Sequence, residues 1–591
     1  MRMPGRSALM AIALAVTAVT GTLRADSTEY ISADAMMAFH INNLAETSQK
    51  VATASQRLGA TMIAPQLADP LAWVKEEMGV KEGINDAGDA AIVVFKPTPG
   101  VRDDENVIIL IPVSDYDKFV GSFTAVDAAD GINHVKMKGG GGDGYISHWG
   151  DYAALAPRKE AVAAKPANVL KLAPKAAAQL KDNDIAMYAN MAAIKDVVGP
   201  EITKGRTEVL EGVAKDAKVT DEYKPAATEA VNKLFDIAEA FFRDADAGTV
   251  GISIKPDGLA ATGLAEFKAD SYLGGFVSKI KASEDSKLLG LPDRGYIFYM
   301  GALASPDAGN MLFTDLVDPI VAKLPKNDKF ASIDGYVKSM KDMTAKMTAV
   351  SYGLQTPSGT VGADPLMQIV GVISGDGPGL KAAAADSMKY QNDLMTILGS
   401  VAGEDAPKVE FGTAPEAKTI GDMKFDEFSQ TITGEGPMAN QQKQMFKFMY
   451  GSESMKAYVG TFDKGMVVFS GLSDEDAGKL VETAKSGGTP LAKLKTVEFV
   501  SGNLPKSRTV EFYLALDQIA VAGMKAAEQF GMLQKAPEVP SGLPPLGFSV
   551  SSEGSVLRGD AFVPFETVEA MISVGIQAAQ NAQRGGGGGG L

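Results

Sequence analysis

Apolar residues cluster through Ala35–Asn42, "AMMAFHIN", as in a strand, and helical patterning follows to about Gly79. A period of two predicts a strand, and a period near 3.6 predicts helix. Two apolar runs follow, "AAIVVFKP" and "NVIILIPV", and then a helical pattern from Ser114. The same succession restarts at "YIFYMGA" (Tyr296–Ala302), with a helix through Met347, strands near "AVSYGLQTP" and "LMQIVGVIS", and a helix from Pro378.

Two further copies are clearer. "DIAMYANM" from Asp184 precedes "EAVNKLFDIAEAFF", where Val231, Leu234, Phe235, Ala238 and Phe242 share one helical face. "TVEFYLAL" from Thr509 precedes "QIAVAGMKAAEQFGML". Each then runs into a predicted hairpin, Val250–Phe267 and Leu546–Val563, with another helix starting near Ser271 and Phe565. The hairpins align without a gap at an offset of 296 residues, with Gly251/Gly547, Ser253/Ser549, Gly258/Gly554, Gly263/Gly559 and Ala265/Ala561 coincident. Gly258 and Gly554 are expected at the turns, with positive φ.

The pattern predicts an α+β fold: a tandem duplication of strand–helix–hairpin–helix units, with antiparallel sheets covered by helices. The expected halves are residues 27–285 and 290–582, joined by "SEDSKLLGLPDRG". Between the copies, "NHVKM", "YISHW", "YAALA" and the helical "RKEAVAAK" match "KAYVGTFDKGMVVFSGLSDEDAGKLVETAK", with Tyr145–Gly150 set against Tyr458–Asp463. "APEVPSGLPPLG" reads as an extended connector, and residues 583–591 as a disordered Gly-rich tail.

The first 25 residues read as a signal peptide. Arg2 and Arg6 precede the short apolar run "ALMAIALAVTAVT", and small residues surround a cut after Ala25. A periplasmic or secreted location follows, with no transmembrane span after cleavage. The chain has 591 residues, 45% hydrophobic and 22% charged, enough for two to four domains. There are no cysteines, so neither disulfides nor a thioether-linked lipid contribute. Net charge is −16, or −19 once Arg2, Arg6 and Arg24 are removed, which argues against nucleic acid as a partner.

Candidate chemistry is sparse. The glycines of "KMKGGGGDGYISHWGDY" (Lys136–Tyr152) lead into a strand pattern with no Gly-Lys-Ser/Thr, so they fit a hairpin tip better than a phosphate loop. If Lys138 faces Gly144, His134 lies opposite His148, and Asp143 or Asp151 would supply a third ligand for zinc or copper. A one-residue slip separates the two imidazoles, and exposed strand histidines are the plainer account. We therefore expect no metal and no cofactor, with His134 and His148 the only candidates. Ser278-x-x-Lys281 has nucleophile spacing without companion motifs and reads as a solvated helix face. Asp244-Ala245-Asp246 lacks the later ligands of a calcium loop. Carboxylate pairs such as Asp115/Asp117 and Asp182/Asp184 are too common in an acidic chain to single one out. Met340, Met343 and Met347, among 27 methionines, form a stripe that reads as core, with an adaptable apolar groove or copper(I) site as alternatives.

The "SADAMMAFHINNLAE" opening and the "GISIKPDGL" hairpin resemble a family of exported, uncharacterised bacterial proteins. That resemblance implies no catalytic residues. The reading that follows is a non-enzymatic binding or structural protein of the envelope or extracellular space, whose partner is a protein, an envelope component or an apolar ligand. The alternatives are a carboxylate-dependent hydrolase of extracellular polymers and a carrier of apolar ligands.

Overall fold

The structure is a computed structural model that describes residues 26–138, 142–216, 219–355, 367–402, 409–434, 436–529 and 537–585. The signal-peptide residues, three glycines of the internal run and the end of the Gly-rich tail lie outside the described residues.

Strand β1 (Ala35–Ile41) pairs antiparallel with β2 (Ala90–Phe95) and with β8 (Ile185–Asn190). From β2 the pairing continues through β3 (Val107–Pro112), β7 (Tyr152–Ala156), β6 (Asp143–Trp149) and β5 (Ile132–Lys136) to β4 (Thr124–Ala129). From β8 it continues through β9 (Ala245–Lys255) to β10 (Gly258–Phe267). In the second half β11 (Tyr296–Leu303) takes the place of β1, between β12 (Met347–Gln355) and β18 (Val510–Leu514). Beyond β12 come β13 (Gln368–Gly375), β17 (Gly465–Ser470), β16 (Ser454–Phe462), β15 (Met423–Ile432) and β14 (Val409–Ile420). Beyond β18 come β19 (Leu546–Glu553) and its hairpin partner β20 (Val556–Pro564). The fold is α+β, all of these pairings whose register is described are antiparallel, and one strand order occurs in both halves.

By contacts the chain divides into two compact units. One holds residues up to Ile202 with Ala238–Gly274 and Ser555–Asp560; the other holds Thr203–Ile237, Gly275–Gly554 and Ala561–Leu591.

Local chemistry explains the element ends. The helix Leu44–Arg57 starts because Asn43 Oδ1 accepts from Glu46 N at 3.2 Å. The helix Pro70–Met78 has Asp69 as its cap, proline at its first position, and Gly79 at φ 77° to end it. One of the two turn-glycine expectations changes. Gly554 has φ 60°, but Gly258 is not in the left-handed region. Gly258 pairs with Lys255 as the first residue of β10, so Pro256 and Asp257 alone make that turn. Strand β4 and the ribbon β14–β15 also lack a sequence signal. Every residue of β4 is exposed, so no face had to be apolar.

The two sides of each central sheet are built differently. In the first unit Ala38, His40, Ala91, Val93, Ala186 and Tyr188 are buried on one side. The neighbouring core of Leu110, Trp149, Tyr152 and Ala154 is equally closed. The other side carries the larger aliphatic groups, described next.

Candidate functional site

The observed register overturns the histidine pairing. His134 faces Tyr145, not His148, while His148 faces Ala153 on β7. Pairing partners share a side of the sheet and successive residues on a strand do not; Tyr145 and His148 lie three apart on β6, so His134 and His148 project from opposite faces. His134 stacks on Tyr145 at 4.7 Å between centroids, with Asp127 and Asp143 at 3.6 and 3.4 Å from its nitrogens. His148 stacks on Tyr116 at 4.2 Å. Asp151 lies in the turn after β6, where its carbonyl accepts from Val113 N at 2.8 Å. Among the described residues no group of three or more His, Asp or Glu is arranged to hold a metal.

The remaining candidates are structural. Ser278 Oγ donates to Gly275 O at 2.9 Å, and among the described residues no hydrogen bond joins it to Lys281, whose backbone N donates to Ser305 Oγ at 2.9 Å. Asp244 ends the helix Lys224–Asp244 and accepts from Leu273 N at 3.0 Å and Arg243 Nε at 2.7 Å. Burial opposes its ionisation, yet these partners hold its carboxyl below the usual range. Asp115 caps the helix Tyr116–Val120. Asp184 accepts from Lys50 Nζ at 2.7 Å and Ile254 N at 2.6 Å. The methionine stripe is divided: Met340 and Met343 are half-buried on the helix Asp328–Lys346, whereas Met347 opens β12.

A serine–lysine pair does form, at a place no motif indicated. Lys287 is 1% exposed, and its Nζ donates to Ser283 Oγ at 2.9 Å, to Ser283 O at 3.0 Å and to Asp285 O. Burial pushes its pKa down, against the pull of nearby Glu511. Three acceptors take all three ammonium protons, so no lone pair faces Ser283 and the pair is not a nucleophile with its base. Glu511 Oε1 accepts from Ser286 Oγ at 2.8 Å and Lys287 N at 2.6 Å, while Oε2 accepts from Arg508 Nη1 and Tyr513 OH, both at 3.0 Å. This network fastens the segment between the sequence halves onto β18.

The feature that remains open is apolar. On the first unit's sheet Met37 and Phe39 face Val94 and Ile92 on β2, and Ala189 and Met187 on β8. The row continues to Val250 and Ile252 on β9, which are 45% and 40% exposed. Its remaining members are half-buried, while the residues between them on each strand are closed. Apart from Ala189, the open side is lined by large apolar side chains, while the packed side mixes alanines with Val93, His40 and Tyr188. The second unit repeats this with aromatic rings. Phe298 lies 4.6 Å from Phe512 and 6.1 Å from Tyr352, and Phe512 lies 5.3 Å from Phe548. Met300, Leu354, Leu514 and Leu546 fill the gaps, and Val550 at the margin is 38% exposed. The opposite side holds Tyr299, Gly301, Ser351, Glu511, Tyr513 and Ser549, all buried. The signal for these faces was in the strands: large apolar residues recur at one parity, while the other carries alanine, glycine, serine and tyrosine.

Among the described residues no helix is long and apolar enough to cross a membrane. No protein-family model matches the chain, and no curated protein matches it. Among solved structures, crystal form III of TP0453 is similar at 11% identity over 49% of this chain and 98% of that one, with a TM-score of 0.18. Crystal form IV gives 11% identity, 49% and 96% coverage and a TM-score of 0.19; form I gives 13%, 49%, 97% and 0.18. Scores of that size carry no inference about site or function.

Proposed function

We propose that the protein is a non-enzymatic, extracytoplasmic binding protein for apolar ligands. One observation carries this reading: in each unit the sheet closes its small and polar residues on one side and leaves its large apolar ones partly open on the other. Burial of such groups is worth roughly 25 cal/mol per Å², so an apolar ligand laid along either face gains directly from what the fold leaves uncovered. Two buried carboxylates are tied up inside the fold, Glu511 by four donors and Asp184 by Lys50 and Ile254. No observation favours the hydrolase alternative. Export is part of the reading and is supported by the N-terminal pattern of Arg2, Arg6 and Ala8–Thr20. The shared strand order likewise supports a tandem duplication.

Titration with Nile red tests the binding reading. The expected result is saturable fluorescence that a long-chain alcohol displaces, weakened several-fold in Phe39→Asp or Phe548→Asp proteins that still melt cooperatively. Fluorescence that never saturates, or that both substitutions leave unchanged, would sink it.

A further inference from the structure

A second surface lies away from the sheets. The helices Asp318–Ala322 and Asp328–Lys346 enclose an open groove of about 330 Å³, lined by Asp318, Val321, Ala322, Lys326, Asp334, Val337, Lys338 and Lys341. Val321, Ala322 and Val337 give it an apolar strip. Its charges are unequal: three ammonium groups against two carboxylates, an excess of one positive charge in a chain of net −16.

Both carboxylates are engaged. Lys341 Nζ donates to both Asp318 oxygens at 2.7 Å. Asp334 lies four residues before Lys338, the spacing of a helical ion pair, yet its carboxylate sits 3.9 Å from Lys326 Nζ instead. Lys338 is exposed and, among the described residues, has no hydrogen-bond or ion-pair partner. An unneutralised cation therefore stands beside an apolar strip, and the complementary ligand has an anionic head and an apolar tail.

We propose that this groove binds a single-chain anionic amphiphile of the fatty-carboxylate class, with its carboxylate over Lys338 and its tail along Val321, Ala322 and Val337. The side-chain rows named on the sheet faces carry no lysine or arginine, so this site selects for an anionic head where they do not, and it does not depend on the Nile red result.

The chain has no cysteine, so Ala322→Cys places one environment-sensitive dye at the groove. Dodecanoate should shift its emission saturably. Lys338→Gln should weaken that binding about tenfold, the size of one charge-assisted contact, and Lys338→Arg should restore it. Dodecyl maltoside, with the same tail and no charge, should leave the dye unmoved. Calorimetry on the undyed chain, with and without Lys338→Gln, repeats the comparison with nothing attached in the groove. The proposal is overturned by no saturable response to dodecanoate, by equal affinity in Lys338→Gln, or by equal response to the maltoside. None of these outcomes alters the Nile red test of the sheet faces.

Discussion

Glu511 shows how much one side chain can organise. It is 3% exposed and accepts from one backbone amide, Lys287 N, and from three side chains, Ser286, Arg508 and Tyr513. Removing one member of a buried ionic network leaves the others uncompensated, so Glu511→Gln should destabilise the second unit by about 3 kcal/mol, measured by urea denaturation. Asp476 makes a pH-dependent counterpart. Burial works against its ionisation, but Arg294 and Ser473 outweigh it, and its pKa falls below the ordinary value. The unfolded chain then binds the proton more readily than the folded one. The stability it contributes is present above about pH 4, the unfolded carboxylate range, and is lost as pH falls through the folded value. Asp476→Asn should therefore be less stable than the parent at pH 7, with the gap closing as denaturation curves are repeated below pH ~4. Neither role was legible in the chain. Glu511 is one acidic residue in an alternating strand, and its donors at Ser286 and Lys287 lie more than two hundred residues away.

At the scale of elements, the closed and open faces of the central strands make unequal demands on their residues. Ala38 is fully buried, and Gly301 would place an added Cβ 2.1 Å from the Lys287 carbonyl oxygen. Ala38→Leu should cost about 1–3 kcal/mol through overpacking, whereas Val250→Thr on the open face should stay within roughly 0.5 kcal/mol; thermal or urea unfolding of the pair decides it. The central strands, both hairpins and the helices Leu44–Arg57, Lys224–Asp244 and Leu516–Gln529 were readable because burial on one face imposes a period, whereas the helix Met191–Lys215 directly after β8 was not among the expected elements. Strand β4 was not, since nothing buries it, and neither was the turn at Pro256-Asp257, where a glycine nearby drew the expectation one residue too far. The histidine register failed for a related reason: a slip of one residue keeps the alternation intact while exchanging the faces, so the pattern alone does not choose.

The chain has no cysteine and so no disulfide, and among the described residues no cluster of three or more ligating side chains is arranged to hold a metal. A fold that leaves large apolar faces partly open is linked to whatever fills them. If a ligand binds only the folded chain, a concentration one hundred times its Kd adds roughly 2.7 kcal/mol. Melting temperature should therefore climb with added apolar ligand and stay flat in the Phe39→Asp and Phe548→Asp double variant; a ligand-independent melt in the parent would count against the sheet faces. The segment that looked like a tether between halves has a further consequence. Lys287, Leu288 and Leu291 are at most 1% exposed, while Lys281 upstream is exposed. Trypsin acting on the native protein should spare the Lys287–Leu288 bond until the second unit unfolds, and reach Lys281 earlier. Shortening or replacing these residues would then register as a loss of stability rather than a change of reach, because the seam of the sequence is the keystone of the packing.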